Sequence, residues 1–265
     1  MKKTFLLSCL MLAAMPVMAA YTGRVYVDKN KNGVFDPGEK TWAGIKVSDG
    51  LNVVETAADG SFTLPGHERE RFIFITTPSG YKTFNRHYHK IEEKQSGYDF
   101  GLMPYSGRIR KDGSHKYIHI ADTEIFNTEN HEDWVNNVRD YARNEQAAFI
   151  IHTGDICYEK GLKAHIKLMN TENMDCPVFY CIGNHDLVKG KYGEELFESI
   201  YGPVYYSFDA GNVHYIVTPM PGGDHAPGYT ADDVCRWLKN DLAHIRPGTP
   251  VVVFNHDLLT YEDAF

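Results

Sequence analysis

Three apolar runs in the second half of this sequence each break off at residues that bind metal ions, and this restricts the fold more than any other feature. Pro177-Val178-Phe179-Tyr180-Cys181-Ile182 ends at Gly183-Asn184-His185-Asp186. Phe149-Ile150-Ile151-His152-Thr153 ends at Gly154-Asp155, and Tyr117-Ile118-His119-Ile120-Ala121 ends at Asp122-Thr123-Glu124. Short apolar runs closed by turn residues read as buried strands. The intervals between them are long enough for crossover helices. A sheet built that way lines up the ends of its strands along one edge. Asp122, Asp155 and the Asn184-His185 pair would gather there, the outline of a binuclear metal site.

The remainder of 106–265 has the grammar of an α/β layer fold, strands alternating with helical stretches. Trp134, Val138 and Tyr141 fall at helical spacing within 128–144, and further helices are expected over 160–169 and 194–201. Thr230-Ala231-Asp232-Asp233 resembles a capping box and opens a helix carrying Val234, Trp237, Leu238 and Leu242. Pro250-Val251-Val252-Val253-Phe254 reads as a buried strand ending at Asn255-His256.

Residues 20–105 read differently. Alternating runs such as Gly23-Arg24-Val25-Tyr26-Val27 and Arg71-Phe72-Ile73-Phe74-Ile75-Thr76 are separated by Gly, Asp and Pro. This is the pattern of a small all-β sandwich. The expected linker lies near Tyr105-Ser106-Gly107.

Within that module, Asp28, Asn30, Asn32, Asp36 and Glu39 stand at positions 1, 3, 5, 9 and 12 of a twelve-residue loop. Gly33 takes the sharp-turn position 6, and Val34 offers its carbonyl at 7. Hard oxygen ligands at this spacing suit Ca²⁺. A strand, not a helix, precedes the loop, so the expected ion is structural. A metal-free Asn/Asp/Gly surface turn is the alternative. With Ala58-Asp59-Gly60-Ser61-Phe62, the stretch resembles the calcium-binding B-type repeats of bacterial surface adhesins.

Lys2-Lys3 followed by apolar residues over 5–17 and Val17-Met18-Ala19 predicts a signal peptide over 1–19. The chain is thus expected to be exported, either periplasmic, at the cell surface or secreted, with no transmembrane segment after signal removal. Cys157, Cys176, Cys181 and Cys235 would remain, free to form disulfides in an oxidising compartment. A formal charge of −8 gives no sign of a nucleic-acid-binding surface. It leaves a phosphorylated substrate open, because bound cations can reverse the local field.

The donor set Asp122, Asp155, Asn184 and His256 mixes oxygen and nitrogen, which suits Mn, Fe or Zn rather than a thiolate-rich structural zinc. Two such ions can hold a phosphoryl group and acidify a bound water. His185 is placed to give a proton to a leaving oxygen.

In that order, Asp122-Thr123-Glu124, Gly154-Asp155, Gly183-Asn184-His185-Asp186 and Asn255-His256 resemble the motifs of the calcineurin-like metallophosphoesterases. Tyr201 to Asn212 is similar to the family's connection into its second sheet. The β module is similar to one that precedes such enzymes in exported bacterial proteins. The resemblance implies a metal-dependent hydrolase of phosphomonoesters or phosphodiesters, acting on a phosphorylated small molecule or a phosphodiester through two divalent metals. Asp122 and Asp155 would hold the first metal. Asp155, as a bridge, Asn184 and His256 would hold the second. His185 would be the acid or transition-state donor, with Asp186 beside it either catalytic or orienting its neighbour.

Two departures stand out. Glu124 occupies a position where the family has His, which leaves it as an altered metal ligand. The family's final Gly-His-x-His does not occur, so a domain truncated before its last motif is expected. A catalytically impaired or non-catalytic binding protein with a phosphoesterase-like shell is the alternative function, and a calcium-stabilised adhesion module a third. Elsewhere, His119 and His152 are expected in the core or behind the ligands, His87 and His89 on a strand edge, Cys157 as a small filler, and His225 beside the substrate cleft.

Overall fold

The computed structural model describes residues 20–257 apart from 85, 93, 94, 96, 106 and 107. The signal-peptide expectation, the Ser106-Gly107 linker and everything after Asp257 lie outside the described residues. Among those described, no helix is long and apolar enough to cross a membrane.

The first module is a sandwich of two four-stranded sheets. Strands β1 (Tyr21–Val27), β4 (Ser61–Leu64), β6 (Tyr81–Thr83) and β8 (Phe100–Pro104) form one sheet in the order β4-β1-β8-β6. Strands β2 (Lys46–Ser48), β3 (Val53–Glu55), β5 (Phe72–Ile75) and β7 (Tyr88–Lys90) form the other, β3-β2-β5-β7. Period-two alternation fills the space between them: Val25, Val47, Phe62, Leu64, Phe100 and Leu102 pack together.

β5 breaks that alternation, with all four of its residues buried. Ile73 and Ile75 point into the sandwich. Phe72 and Phe74 point the other way, into the core of the second module with Phe208 and Trp237. One strand thus serves two cores, and the modules share a continuous apolar interface.

In the second module, β9 (Lys116–Ile120), β10 (Ala147–Thr153) and β11 (Val178–Cys181) form a parallel sheet, β11-β10-β9. A second sheet follows, from β12 (Tyr206–Ala210), β13 (Val213–Val217) and β14 (Val251–Phe254), with β13 and β14 parallel. The two sheets meet through aromatic side chains, among them Phe179 stacked on Phe208 at 3.7 Å between ring centroids.

Helices α1 (Glu132–Asn144) and α3 (Thr171–Met174) cover the outer face of the first sheet through Val135, Ala142 and Met174. α2 (Tyr158–Leu168) and α4 (Glu195–Tyr201) pack together through Leu162, Phe197 and Tyr201. α5 (Ala231–Ala243) begins at the expected capping box, with Thr230 and Asp233 reciprocally bonded, and buries Trp237.

Two strands expected to be buried are not. In β9, Lys116 and His119 are exposed and Tyr117 is 39 % exposed, while Val251 and Val253 of β14 are 41 % and 51 % exposed. Each is an edge strand with one paired neighbour among the described residues. β10, central in its sheet, is buried at all seven positions. An apolar run marks a strand, but its place in the sheet order decides its burial.

Candidate metal centre

The parallel order of β9, β10 and β11 brings their carboxyl ends to one edge, and β14 ends beside them. Asp122, Asp155 and His256 meet there, each offering a ligand atom within 4.8 Å of the other two. Asp155 is buried and Asp122 exposed, so the group lies at the floor and lip of an open site.

Local backbone geometry holds the group in place. Asp122, Glu124, Asp155, Cys157 and Tyr158 all have positive φ, between 43° and 74°, in the two loops that carry the carboxylates. Such conformations are costly for non-glycine residues and persist where surrounding contacts enforce them. The Asp122 N–H donates to the Gly154 carbonyl at 3.0 Å, which ties the two loops together.

Gly154 and Gly183 stand back to back. A Cβ on Gly183 would lie 2.3 Å from the Asp155 nitrogen and Oδ1, and one on Gly154 would lie 2.7 Å from the Gly183 backbone. Only glycine at both positions lets these loops close until the His185 N–H donates to Asp155 Oδ1 at 3.1 Å.

His256 donates from Nδ1 to the Thr153 carbonyl at 2.6 Å. Nδ1 therefore carries a proton, which leaves Nε2, 3.4 Å from Asp155 Oδ2, as the nitrogen that would face a bound cation. Two carboxylates and an imidazole with ligand atoms gathered at one point form a donor set that fits a divalent cation.

The 3-10 turn Asn184–Asp186 follows β11. Asn184 is half-buried and follows Gly183, whose backbone packs against Asp155. Asp186 is fully buried and accepts from the Gly183 N–H at 2.9 Å and the Cys157 N–H at 2.8 Å. Burial pushes its carboxyl up. With both oxygens committed to backbone, Asp186 is placed to shape the turn that presents His185. Glu124 is exposed, and its carboxylate does not join the three-residue group.

His185 reaches into solvent and is held at Nδ1 by Asp224 Oδ2, 2.9 Å away. This hydrogen bond raises the imidazole pKa above its ordinary value, against partial desolvation. His225 is the residue of this loop expected beside the cleft, whereas its neighbour Asp224 makes the contact. The signal was Gly222-Gly223: a Cβ on Gly223 would lie 2.5 Å from the Asn184 carbonyl oxygen, and the Asp224 N–H donates to that oxygen at 3.1 Å.

Behind the ligands, His119 bonds the Thr153 hydroxyl at 2.8 Å and buried His152 bonds Thr123 at 2.9 Å. Burial holds His152 well below the usual histidine range. His165, ring to ring with His152 at 4.8 Å, is pushed down to about 3 by burial. Cys157 is buried, and burial pushes its thiol up to about 12, which disfavours a thiolate nucleophile. All four described cysteines are free.

The loop over 28–39 also draws its predicted residues together. Buried Asp28 accepts from the Asn32 and Gly33 N–H groups. Asp36 Oδ2 accepts from the Asn30 and Asn32 side-chain amides at 2.7 Å and 2.8 Å. Glu39 accepts from the Lys29 and Asp36 N–H groups. Gly33 has φ 75°, and the Val34 side chain is exposed.

Residues 115–263 match the family described as calcineurin-like phosphoesterase. The chain belongs to that family. Residues 29–105 match the family described as N terminal of calcineurin-like phosphoesterase, so the two modules of this calcineurin-like phosphoesterase occur in order along the chain. A search of curated proteins finds no match. Members of the family are generally metal-dependent hydrolases of phosphoesters. Asp122, Asp155 and His256 are the residues of this member that form a possible site for a divalent metal.

Proposed function

We propose that this chain is an exported phosphoesterase with a two-metal centre. The convergence of Asp122, Asp155 and His256 within 4.8 Å carries the reading. Asp122 and Asp155 would hold one cation, and Asp155, Asn184 and His256 the other. Mn, Fe or Zn fits this oxygen-rich set with one imidazole. Bound divalent cations supply Lewis acidity toward a phosphoryl oxygen and an activated water.

The chain's own residues do the rest. Asp155, anchored by the His185 N–H, fixes the spacing of the centre. The Thr153 carbonyl keeps His256 in the ligating tautomer. His185, oriented by Asp224 and open to solvent, gives a proton from Nε2 to the departing oxygen of a phosphomonoester or phosphodiester.

The position of Glu124 favours a second reading, a binding protein with an incomplete centre, because its carboxylate stands apart from the group. One experiment separates the two. The purified chain is loaded with Mn²⁺, its metal content is measured, and it is assayed on p-nitrophenyl phosphate and bis(p-nitrophenyl) phosphate beside Asp155→Ala. The enzyme reading requires metal and turnover that both vanish in the variant. Metal held by Asp155 without turnover of either ester supports the binding reading. Metal content indifferent to Asp155→Ala overturns both.

For the loop over 28–39 we propose a structural Ca²⁺, on the convergence of Asp28, Asn30, Asn32, Asp36 and Glu39. Ca²⁺ is expected to raise the melting temperature of the chain, and Asp36→Ala to abolish that rise. A rise that persists in the variant would rule the loop out.

A further inference from the structure

Between the modules lies a crevice of about 310 Å³ that no step of the proposed reaction uses. Its walls come from both sides. The sandwich contributes Thr77, β6, and the stretch from Arg86 to Tyr88. The second module contributes the end of α2, the start of α3, β11 and the end of α4. None of the candidate metal ligands lines it.

The lining has two chemically distinct parts. The second module supplies an apolar and aromatic floor that includes Ile166, Phe179, Tyr180, Ile200 and Tyr201. The polar groups of that floor are largely committed internally. The Tyr180 hydroxyl donates to the Met169 carbonyl, the Tyr201 hydroxyl donates to the Leu162 carbonyl, and the Thr171 hydroxyl accepts from the Val178 N–H. What remains available there is ring and branched aliphatic surface.

The sandwich side supplies positive charge. Lys82 and Arg86 both line the crevice, and among the described residues neither has a carboxylate partner. Lys82 lies over the Tyr105 ring, while Arg86 donates to the Tyr88 hydroxyl. By contrast, Arg69, Arg71 and Arg108 are each paired with a carboxylate. Glu172, exposed at the rim, is the only carboxylate among the lining residues. His87 adds no charge, since burial pushes it down to about 3.

An apolar and aromatic floor beside two cations that have no carboxylate partner among the described residues calls for an occupant with a flat apolar body and one anionic end. The cavity volume is at the lower end of the range for small-molecule sites, roughly 300–1,000 Å³. We propose that this crevice binds a small aromatic acid, its ring against Ile166, Tyr180 and Ile200, with buried Phe179 and Tyr201 behind them, and its anionic group between Lys82 and Arg86. Because the two modules supply different walls, such a ligand also clamps them together, and binding to the folded chain alone raises its melting temperature.

Naphthalenesulfonate is a suitable probe, with naphthalenemethanol as its uncharged counterpart. Isothermal titration on the full chain should show saturable one-to-one binding of the sulfonate, and about tenfold weaker binding of the alcohol. Lys82→Met and Arg86→Met should each weaken the sulfonate by a similar factor and leave the alcohol unchanged. Lys82 is half-buried and Arg86 exposed, and circular dichroism checks that both variants keep the fold. Ile200→Trp, which fills the floor, should abolish binding of both probes. Val253→Ser, at the exposed apolar edge of β14, controls for adventitious binding and should change nothing. Absence of saturable binding, sulfonate affinity indifferent to both charge removals, or loss of binding in Val253→Ser would each overturn the proposal.

Discussion

The Arg71 guanidinium of the sandwich places Nε and Nη2 on a single oxygen of Glu198, at 3.0 Å and 2.8 Å, and Nη2 also reaches Glu194 at 2.8 Å. Both carboxylates belong to the second module and both are buried. Glu194 in turn accepts from the Gly228 N–H, and Tyr192 lies under the guanidinium at 4.6 Å. Removing one partner of a buried ion pair leaves the others uncompensated, a loss of about 3 kcal/mol, and Glu198, which burial already pushes up to about 7, would then take up a proton near neutral pH. Arg71→Met should therefore destabilise the chain by about that amount in urea unfolding. Adding Glu198→Gln to it should recover part of the loss. A single variant as stable as the parent would show that the cluster does not join the modules.

Asp224 orients His185 without belonging to the cation-binding group. Asp224→Asn keeps a hydrogen-bonding oxygen but removes the charge that favours the imidazolium. The expected result is a fall in kcat of roughly tenfold to a hundredfold, below the full contribution of a general acid, about a hundredfold or more, because the imidazole itself remains. Metal content and KM should stay near those of the parent. A loss of metal alongside turnover would instead assign Asp224 to the stability of the cation site.

The strands β9, β10, β11 and β14 were legible because each pairs an apolar run with a chemically distinctive stop. The Thr230 capping box was legible because it is local. Short strands such as β3, β6 and β12 carry no strong periodicity; β3 and β12 form hairpins with β2 and β13, and β6 pairs with β8, so packing rather than an apolar pattern marks them. The same holds at the site. Asp122, Asp155 and His256 could be found by position after a strand. Asp224 could not, because its role depends on a glycine pair that lets one loop touch another. The exposure of Val251 and Val253 likewise depends on sheet order, which no apolar run encodes.

His214 is buried between two carboxylates, with Nδ1 at 2.7 Å from Asp209 and Nε2 at 2.8 Å from Asp241. Asp241 also accepts from Ser207, whose hydroxyl meets Thr76 of the sandwich. Burial alone would lower the His214 pKa, but the hydrogen bonds and charges of Asp209 and Asp241 outweigh it and raise it to about 9. A raised folded-state pKa means the imidazolium stabilises the fold. That contribution is fully present below the ordinary value of 6.5 and is lost as pH rises through about 9. NMR titration of the His214 ring should give a midpoint well above 6.5. The chain should also be less stable to urea above that midpoint than at neutral pH. A midpoint at or below the ordinary value would mean that the clamp holds a neutral ring.

Gly183 offers the sharpest test of how the centre is built. The position has no positive φ among the described glycines, so alanine is tolerated by the backbone itself. The obstacle is contact: a methyl group there would meet the Asp155 nitrogen and Oδ1 at 2.3 Å, well inside any real Cβ separation. The loops after β10 and β11 must then separate, which moves Asp155 away from His256 and breaks the bond from the His185 N–H. Gly183→Ala should keep the circular dichroism of the parent, since the packed faces of the sheets lie elsewhere, yet lose most bound metal and turnover. Gly190→Ala is the control: it stands outside the contact between the two loops, near the Glu195 side chain, and should retain both. Full metal content in Gly183→Ala would show that the two loops need not touch for the centre to form.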